Sequence, residues 1–297
     1  MEEYLQKLHI NINFPFVLIL AALIWARVLS AIVVIPFLFG KPVPRSVRMG
    51  ASIVLTTFLY PIVAAQTLAP TEIDYLLLFA LFFKEILIGL SIGFAAAMMF
   101  YGFEAAGSMI DNQRGVSLAR ILIPELGEQS SITGNFLFQL FVVIFLTLGG
   151  HLFFLRAFFL SFQSLPLFLF PQSVEGLMPV LDFFMQMSGT ILFVAIQIAA
   201  PVIIAVLVTD IILGVTNRFA PQINVWELGF NLRGYVGILL LFLSLHFVVQ
   251  QMKHYTAKTR DNVTVTIELL KERPPPSPEP AETISPQELE QTHPVLQ

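Results

Sequence analysis

Apolar residues gather in six long stretches, at 14–39, 51–68, 75–101, 135–162, 185–214 and 235–250, divided by intervals of unequal length. A helix needs roughly 20 apolar residues to cross a bilayer core of about 30 Å, and each stretch reaches or approaches that length. Within lipid a segment must satisfy its own backbone N–H and C=O groups, so helix is the predicted state of all six. The pattern therefore predicts an all-α, polytopic integral membrane protein.

The interruptions in these stretches carry further information. Arg27 lies inside the first, Lys84 and Glu85 inside the third, Arg156 in the second half of the fourth, and Asp210 near the end of the fifth. A central Arg costs about 2.5–3.5 kcal/mol on insertion, whereas each Leu, Ile, Phe or Val returns roughly 0.3–0.6, so all of these segments can still partition. Such charges should face protein or water. For Arg156 and Asp210, snorkelling toward a helix end is an equal alternative. Gly149, Gly150 and His151 divide the fourth stretch, and Pro201 stands inside the fifth, making both candidate breaks. Gly89, Gly93 and Ala97 recur at four-residue spacing in the third, a small-residue stripe that lets another membrane helix approach closely.

Loop charges give an inconsistent topology. Lys41, Arg45 and Arg48 follow the first stretch, Arg114 and Arg120 the third, and Arg218 and Arg233 the fifth, while the intervals after the second and fourth hold no Lys or Arg. The positive-inside rule makes the odd-numbered loops cytoplasmic. Six full spans would then put Lys253, Lys258 and Arg260 on the opposite side, so one stretch is not an ordinary span, and the Gly-interrupted fourth is the first candidate. From about residue 253 the composition turns polar, with Pro, Glu and Gln dominating the end. Two regions follow: a polytopic helical region at 1–252 and a disordered, cytoplasmic tail at 253–297.

Composition reinforces membrane residence and removes several functional classes. Hydrophobic residues make up 56% of the 297 and charged ones 12%, with a mean hydropathy of +0.80, which a soluble globule of this length cannot bury. The formal net charge is -4 with no dense basic run outside the loops, so nucleic acid is not an expected partner. Cys is absent, and the five His residues are scattered, so no disulfide, thiolate or metal set is expected and no cofactor is implied. The start Met-Glu-Glu-Tyr lacks the basic opening of a secretory signal, so the first apolar stretch is expected to be retained. His151 and Ser161 stand ten residues apart and no nucleophile or phosphate-loop motif occurs, so the chain is not expected to be an enzyme.

The longest polar interval, 102–133, contains Glu104, Asp111, Asn112, Gln113, Arg114, Arg120, Glu125 and Glu128. It is too polar to span. It reads either as a solvated connecting loop or as a helix break that places Asp111, Asn112, Gln113 and Arg114 at a protein-lined cavity.

Three ordered stretches carry a resemblance. The first runs from Lys84 and Glu85 to Phe94, on to Gly107 and Asn112-Gln-Arg-Gly115. The second is Gly149-Gly-His-Leu followed by Ser161-Phe-Gln-Ser-Leu-Pro166. The third joins Ala200-Pro201 to Asn217-Arg218-Phe-Ala-Pro221-Gln222-Ile-Asn224-Val225 and then Gly229-Phe-Asn-Leu-Arg233. In this order, over roughly residues 14 to 250, they resemble the FliR/SctT family of export-apparatus membrane proteins of bacterial flagella and type III secretion injectisomes, with the 111–114 segment closer to the injectisome branch.

The resemblance implies a non-enzymatic membrane subunit of the bacterial inner membrane whose helical hairpins pack into a hetero-oligomeric export gate. Its implied companions are SctR/FliP-like, SctS/FliQ-like, SctU/FlhB-like and SctV/FlhA-like proteins, and its substrates are secreted unfolded proteins. It implies gate-loop roles for Asp111, Asn112, Gln113, Arg114 and Arg120, helix packing at Gly89, Gly93, Ala97 and Gly107, and structural roles for Lys84, Glu85, Gly150, His151, Pro201, Arg218, Pro221, Gln222 and Asn224. Such assemblies stand partly out of the bilayer, which would account for the loop-charge conflict. The competing expectation is a stand-alone secondary transporter, motivated by Arg27, Lys84, Glu85 and Asp210 within apolar segments.

Overall fold

The computed structural model describes residues 14–38, 43–67, 74–116, 131–170 and 178–271. These residues form seven helices: α1 (Phe14–Val34), α2 (Arg45–Ala64), α3 (Tyr75–Gln113), α4 (Ile132–Thr147), α5 (Gly150–Ser164), α6 (Met178–Phe219) and α7 (Val225–Leu270). Five are long and apolar enough to cross a membrane, and α4 with α5 makes a sixth if that bent pair counts as one span.

The central element is α3, which packs against α1, α4, α6 and α7. Its small residues make this possible. A Cβ added at Gly89 would lie 2.4 Å from the Arg27 carbonyl oxygen, and one at Gly93 would lie 2.9 Å from that of Ala31, so α1 and α3 meet at backbone distance. At the other end of α3, a Cβ on Gly107 would fall 2.4 Å from the backbone nitrogen of Gly134 in α4. Ala97 is fully buried between these contacts. In lipid, where burying apolar surface adds little drive, such close approach holds helices together by dispersion and backbone proximity.

Phenylalanines fill the space around α3 where glycine is not needed. Phe37, just beyond α1, stacks on Phe100 of α3 at 5.5 Å and meets Phe145 of α4 at 4.5 Å and Phe154 of α5 at 5.4 Å. Phe141 closes on Phe100 at 4.5 Å. Pairs of this geometry contribute about 0.5–1.5 kcal/mol each beyond area burial. Four segments are thereby fixed to one aromatic centre.

The fourth apolar stretch is divided at the diglycine. Helices α4 and α5 meet at 73°, and Gly149 takes a left-handed φ of +74°, a conformation that a β-carbon disfavours. Gly150 serves a different need: a Cβ there would stand 2.5 Å from the Phe145 ring. The break expected at Pro201 does not occur, because α6 runs unbroken from Met178 to Phe219. Around the proline Ile198, Ala199 and Val202 are buried and α6 packs against α3 and α7; inside a membrane protein such packing offsets the hydrogen bond that proline removes.

Two expected boundaries move. The polar interval expected from residue 102 begins as helix, since α3 continues to Gln113. The tail expected from residue 253 is also helical as far as Leu270, with Met252, Tyr255, Thr256, Thr259, Asn262, Val263, Thr266 and Ile267 buried. These positions repeat every three or four residues, the period of one helix face. The face reads as polar because it is built from threonines. Each of Thr256, Thr259 and Thr266 donates its hydroxyl to the carbonyl four residues earlier, at 2.9, 2.9 and 2.8 Å, so their burial strands no donor. The remainder of the expected tail, 272–297, lies outside the described residues.

Helices α3, α6 and α7 contain 39, 42 and 46 residues. At 1.5 Å per residue they extend about 58, 63 and 69 Å, roughly twice the hydrocarbon thickness. A bundle upright in one bilayer cannot contain them within the apolar layer.

Candidate functional site

Two buried polar centres lie on α3. In the first, Arg27 of α1 is an ion-pair partner of Glu85 through Nε and Oε2, and both side chains are fully buried. Lys84 Nζ stands 2.9 Å from Glu85 Oε1. The two cations also serve the end of α5. Arg27 donates to the carbonyls of Ser161 at 3.1 Å and Leu165 at 2.9 Å, and Lys84 donates to those of Pro166, Leu167 and Leu169 at 3.0, 2.6 and 2.8 Å. The Arg27 guanidinium stacks over Phe162 at 4.4 Å.

The last turn of a helix leaves four carbonyls without intrahelical donors and carries partial negative charge. Arg27 and Lys84 supply donors to those and to the turn that follows, while Glu85 offsets part of their charge. The cluster therefore joins α1, α3 and the end of α5. Ser161 donates its hydroxyl to the Phe158 carbonyl at 2.6 Å. His151, in the first turn of α5, keeps a buried Nδ1 with no hydrogen-bond partner among the described residues. No Ser161–His151 hydrogen bond joins them into a catalytic pair.

The second centre ties the end of α3 to the start of α4. Asp111 is buried. Its Oδ2 accepts from the Ser131 hydroxyl at 2.6 Å and the Thr133 backbone N–H at 3.0 Å, and its Oδ1 accepts from the Thr133 hydroxyl at 2.5 Å. Ser131 is the N-cap of α4, accepting from the Gly134 N–H at 2.8 Å. A carboxylate at this end of a helix meets both free N–H donors and the positive end of the dipole. Arg114 approaches from the side: its Nη1 lies 3.3 Å from Asp111 Oδ1 and 3.3 Å from Thr133 Oγ1. Helix α3 stops here, with Arg114 as C-cap and Gly115 at a φ of +83°.

The other sequence-derived positions spread more widely. Asn112 and Gln113 are exposed on the last turn of α3, while Arg120 lies outside the described residues. Pro201 is in mid-α6 and Gly150 opens α5. Arg218, Pro221, Gln222 and Asn224 cluster at the exposed α6–α7 turn. There Arg218 is the basic residue of the last turn of α6, and the Asn224 side chain accepts from the Glu227 N–H at 3.4 Å as the N-cap of α7. Behind this turn Arg233 bonds Asp210 at 2.5 Å, cross-linking the two long helices.

Sequence reasoning missed Ser131, Thr133 and Gly237. Ser131 could have been found as a helix N-cap, because it directly precedes an apolar helical run. Gly237 carried no such signal; it is buried in α7, and a Cβ there would stand 2.5 Å from Arg114 Cγ and Cδ.

Comparison with known proteins places the chain in a family. The family described as bacterial export proteins, family 1, matches residues 18–259, from the first turns of α1 well into the buried half of α7. The chain is 36% identical over 234 residues to the Yop proteins translocation protein T of Yersinia pestis, covering 78% of this chain and 87% of that one. It is 29% identical over 254 residues to the flagellar biosynthetic protein FliR of Bacillus subtilis, with 82% and 94% covered. It is also 36% identical over 164 residues to the surface presentation of antigens protein SpaR of Shigella flexneri, with 55% and 61% covered. With the family match spanning α2 to α6 entirely and most of α1 and α7, this chain belongs to the FliR/SctT family of bacterial export-apparatus membrane proteins, on its type III secretion branch.

Proposed function

We propose that this chain is a core membrane subunit of a type III protein secretion export gate in the bacterial inner membrane. In this reading it joins SctR/FliP-like and SctS/FliQ-like subunits in the channel through which unfolded proteins leave the cytoplasm, and it contacts SctU/FlhB-like and SctV/FlhA-like proteins. Its role is structural, with no reaction of its own.

The observation that carries this reading is the mismatch between helix length and bilayer, together with what the long helices leave uncovered. Phe58 of α2, Phe219 at the end of α6, and Trp226 and Phe242 of α7 are 71, 81, 70 and 72% exposed. Helices α6 and α7 are about twice as long as the apolar layer is thick, so part of this apolar surface stands beyond the lipid. Exposed apolar surface of that kind calls for protein neighbours. The buried cluster of Arg27, Lys84 and Glu85 ties α1, α3 and α5 together behind such faces.

Within that gate the α3–α4 junction of Asp111 and Arg114 is the element we assign to closure of the conduit. It is a polar, charged break at the end of the most central helix, held by a carboxylate that can lose its arginine and keep its other donors.

A stand-alone solute transporter has less support. Arg27, Lys84 and Glu85 are engaged with one another and with backbone carbonyls. A cavity of about 260 Å³, lined by residues that include Phe145, Gly149, Phe153, Lys253, Thr256 and Arg260, involves none of the three.

The deciding experiment is co-expression with SctR- and SctS-like partners, followed by detergent extraction and size-exclusion chromatography. One stable complex containing this chain is expected. A chain that stays monomeric beside both partners, or that alone transports a small solute in vesicles, would overturn the proposal.

A further inference from the structure

Helix α7 lies directly against the Asp111–Arg114 junction. A Cβ on Gly237 would meet Arg114 Cγ and Cδ at 2.5 Å and Nε at 3.1 Å, so the aliphatic stem of Arg114 lies on bare α7 backbone. One residue further along, the place a Cβ would take on Gly115 is 3.5 Å from the Phe230 ring of the same helix. Three residues before Gly237, Gly234 has nothing among the described residues within 4 Å of an added Cβ.

Arg114 is held lightly by its polar contacts. Only Nη1 engages Asp111 and Thr133, at 3.3 Å in each case, and its buried Nε has no hydrogen-bond partner among the described residues. Asp111, in contrast, keeps donors from Ser131 and Thr133 at 2.5 to 3.0 Å that do not depend on Arg114. Sideways packing on Gly237 therefore sets where the guanidinium stands, whereas the α3–α4 connection survives its departure.

We infer that Gly237 is a positioning residue for the gate junction: the bare backbone of α7 at this point seats Arg114 on Asp111, so the α6–α7 hairpin governs whether that ion pair is made. A shift of α7 toward α3, or any side chain at 237, displaces Arg114 first and leaves the α4 cap in place. This inference rests on the reading that Asp111 and Arg114 contribute to closure.

The test uses the full chain co-expressed with its SctR- and SctS-like partners, reading complex yield and small-ion leak across the cell membrane in parallel. The variants are Arg114→Ala, Gly237→Ala, Gly234→Ala and the double variant Arg114→Ala/Gly237→Ala. Arg114→Ala and Gly237→Ala should each raise the leak about tenfold at near-normal yield, the scale of losing one charge-assisted hydrogen bond. The double variant should leak no more than Arg114→Ala alone, because residues acting through one contact are not additive. Gly234→Ala should match the parent.

If Arg114→Ala leaks and Gly237→Ala assembles without leaking, the inference fails while the gate reading stands. If Arg114→Ala itself does not leak, the gate reading fails and takes the inference with it. Equal leak from Gly234→Ala would also overturn the inference, since an added Cβ there meets no described residue. Should Gly237→Ala fail to assemble, recovery of yield in the double variant upholds the Arg114 contact, and no recovery overturns it.

Discussion

Arg27 of α1 and Glu85 of α3 face each other as a fully buried ion pair, with Lys84 completing a triad that holds the end of α5 by its carbonyls. Removing one member of such a set is far more costly than never having had it, because the remaining charges stay buried. Glu85→Ala strips the negative charge from between two cations and should destabilise the chain by about 3–5 kcal/mol. The thermal midpoint of the detergent-solubilised protein measures this, and an unchanged midpoint would remove the triad from the account of stability.

Contact between α1 and α3 depends on the absence of side chains at two positions. Gly93→Leu would drive four extra carbons into the Ala31 backbone, which already lies 2.9 Å from the Cβ position. Backbone cannot move aside as a flexible side chain can, so loss of folded protein and of complex is expected. Normal complex yield for Gly93→Leu would show that the two helices are not in contact.

At the α3–α4 junction two neighbouring substitutions should separate stability from closure. Asp111→Ala deprives Ser131 and Thr133 of their acceptor and should cost about 3 kcal/mol. Arg114→Ala leaves that cap intact and should cost about 1 kcal/mol while altering leak or secretion. Thermal melts beside a permeability assay would expose the split; equal loss of stability in both would mean that Arg114 is part of the cap and nothing more.

The elbow between α4 and α5 rests on two glycines with different duties. Gly149→Ala forces a β-carbon into a φ of +74°, a strain of about 1–2 kcal/mol. Gly150→Ala instead pushes against the Phe145 ring at 2.5 Å. Both should lower the thermal midpoint, but only Gly150→Ala should be relieved by Phe145→Leu, which withdraws the ring. Relief of Gly149→Ala by the same change would contradict the backbone explanation.

A chain ending at residue 252 loses the buried threonine face of α7, including Tyr255, whose hydroxyl donates to Gln197 Oε1 at 2.8 Å. It should be less stable in detergent than a chain ending at Lys271. Equal stability of the two would show that residues 253–270 only decorate the bundle.

Different features were legible to different degrees. The α4–α5 break could be read from Gly149 and Gly150, since two adjacent glycines in an apolar run are a local signal. Pro201 gave the same kind of signal and no break followed, because neighbouring helices decided the outcome. The continuation of α7 past residue 252 was hidden by threonine: its hydroxyl looks exposed in a list of residues, yet a bond to the carbonyl four residues back lets it be buried.

Membrane residence, helical class and the approximate places of the apolar segments followed from composition and order along the chain. The reason is physical: in lipid each segment must satisfy its own backbone, so length and apolarity of a single stretch are enough to specify it. Tertiary packing alone decided that Arg27 and Lys84 cap the end of α5, that Asp111 belongs to the first turn of α4, and that Arg114 rests on Gly237. Those contacts join residues far apart in the chain, and their energies arise only once α3 has gathered its neighbours closely enough for single atoms to meet.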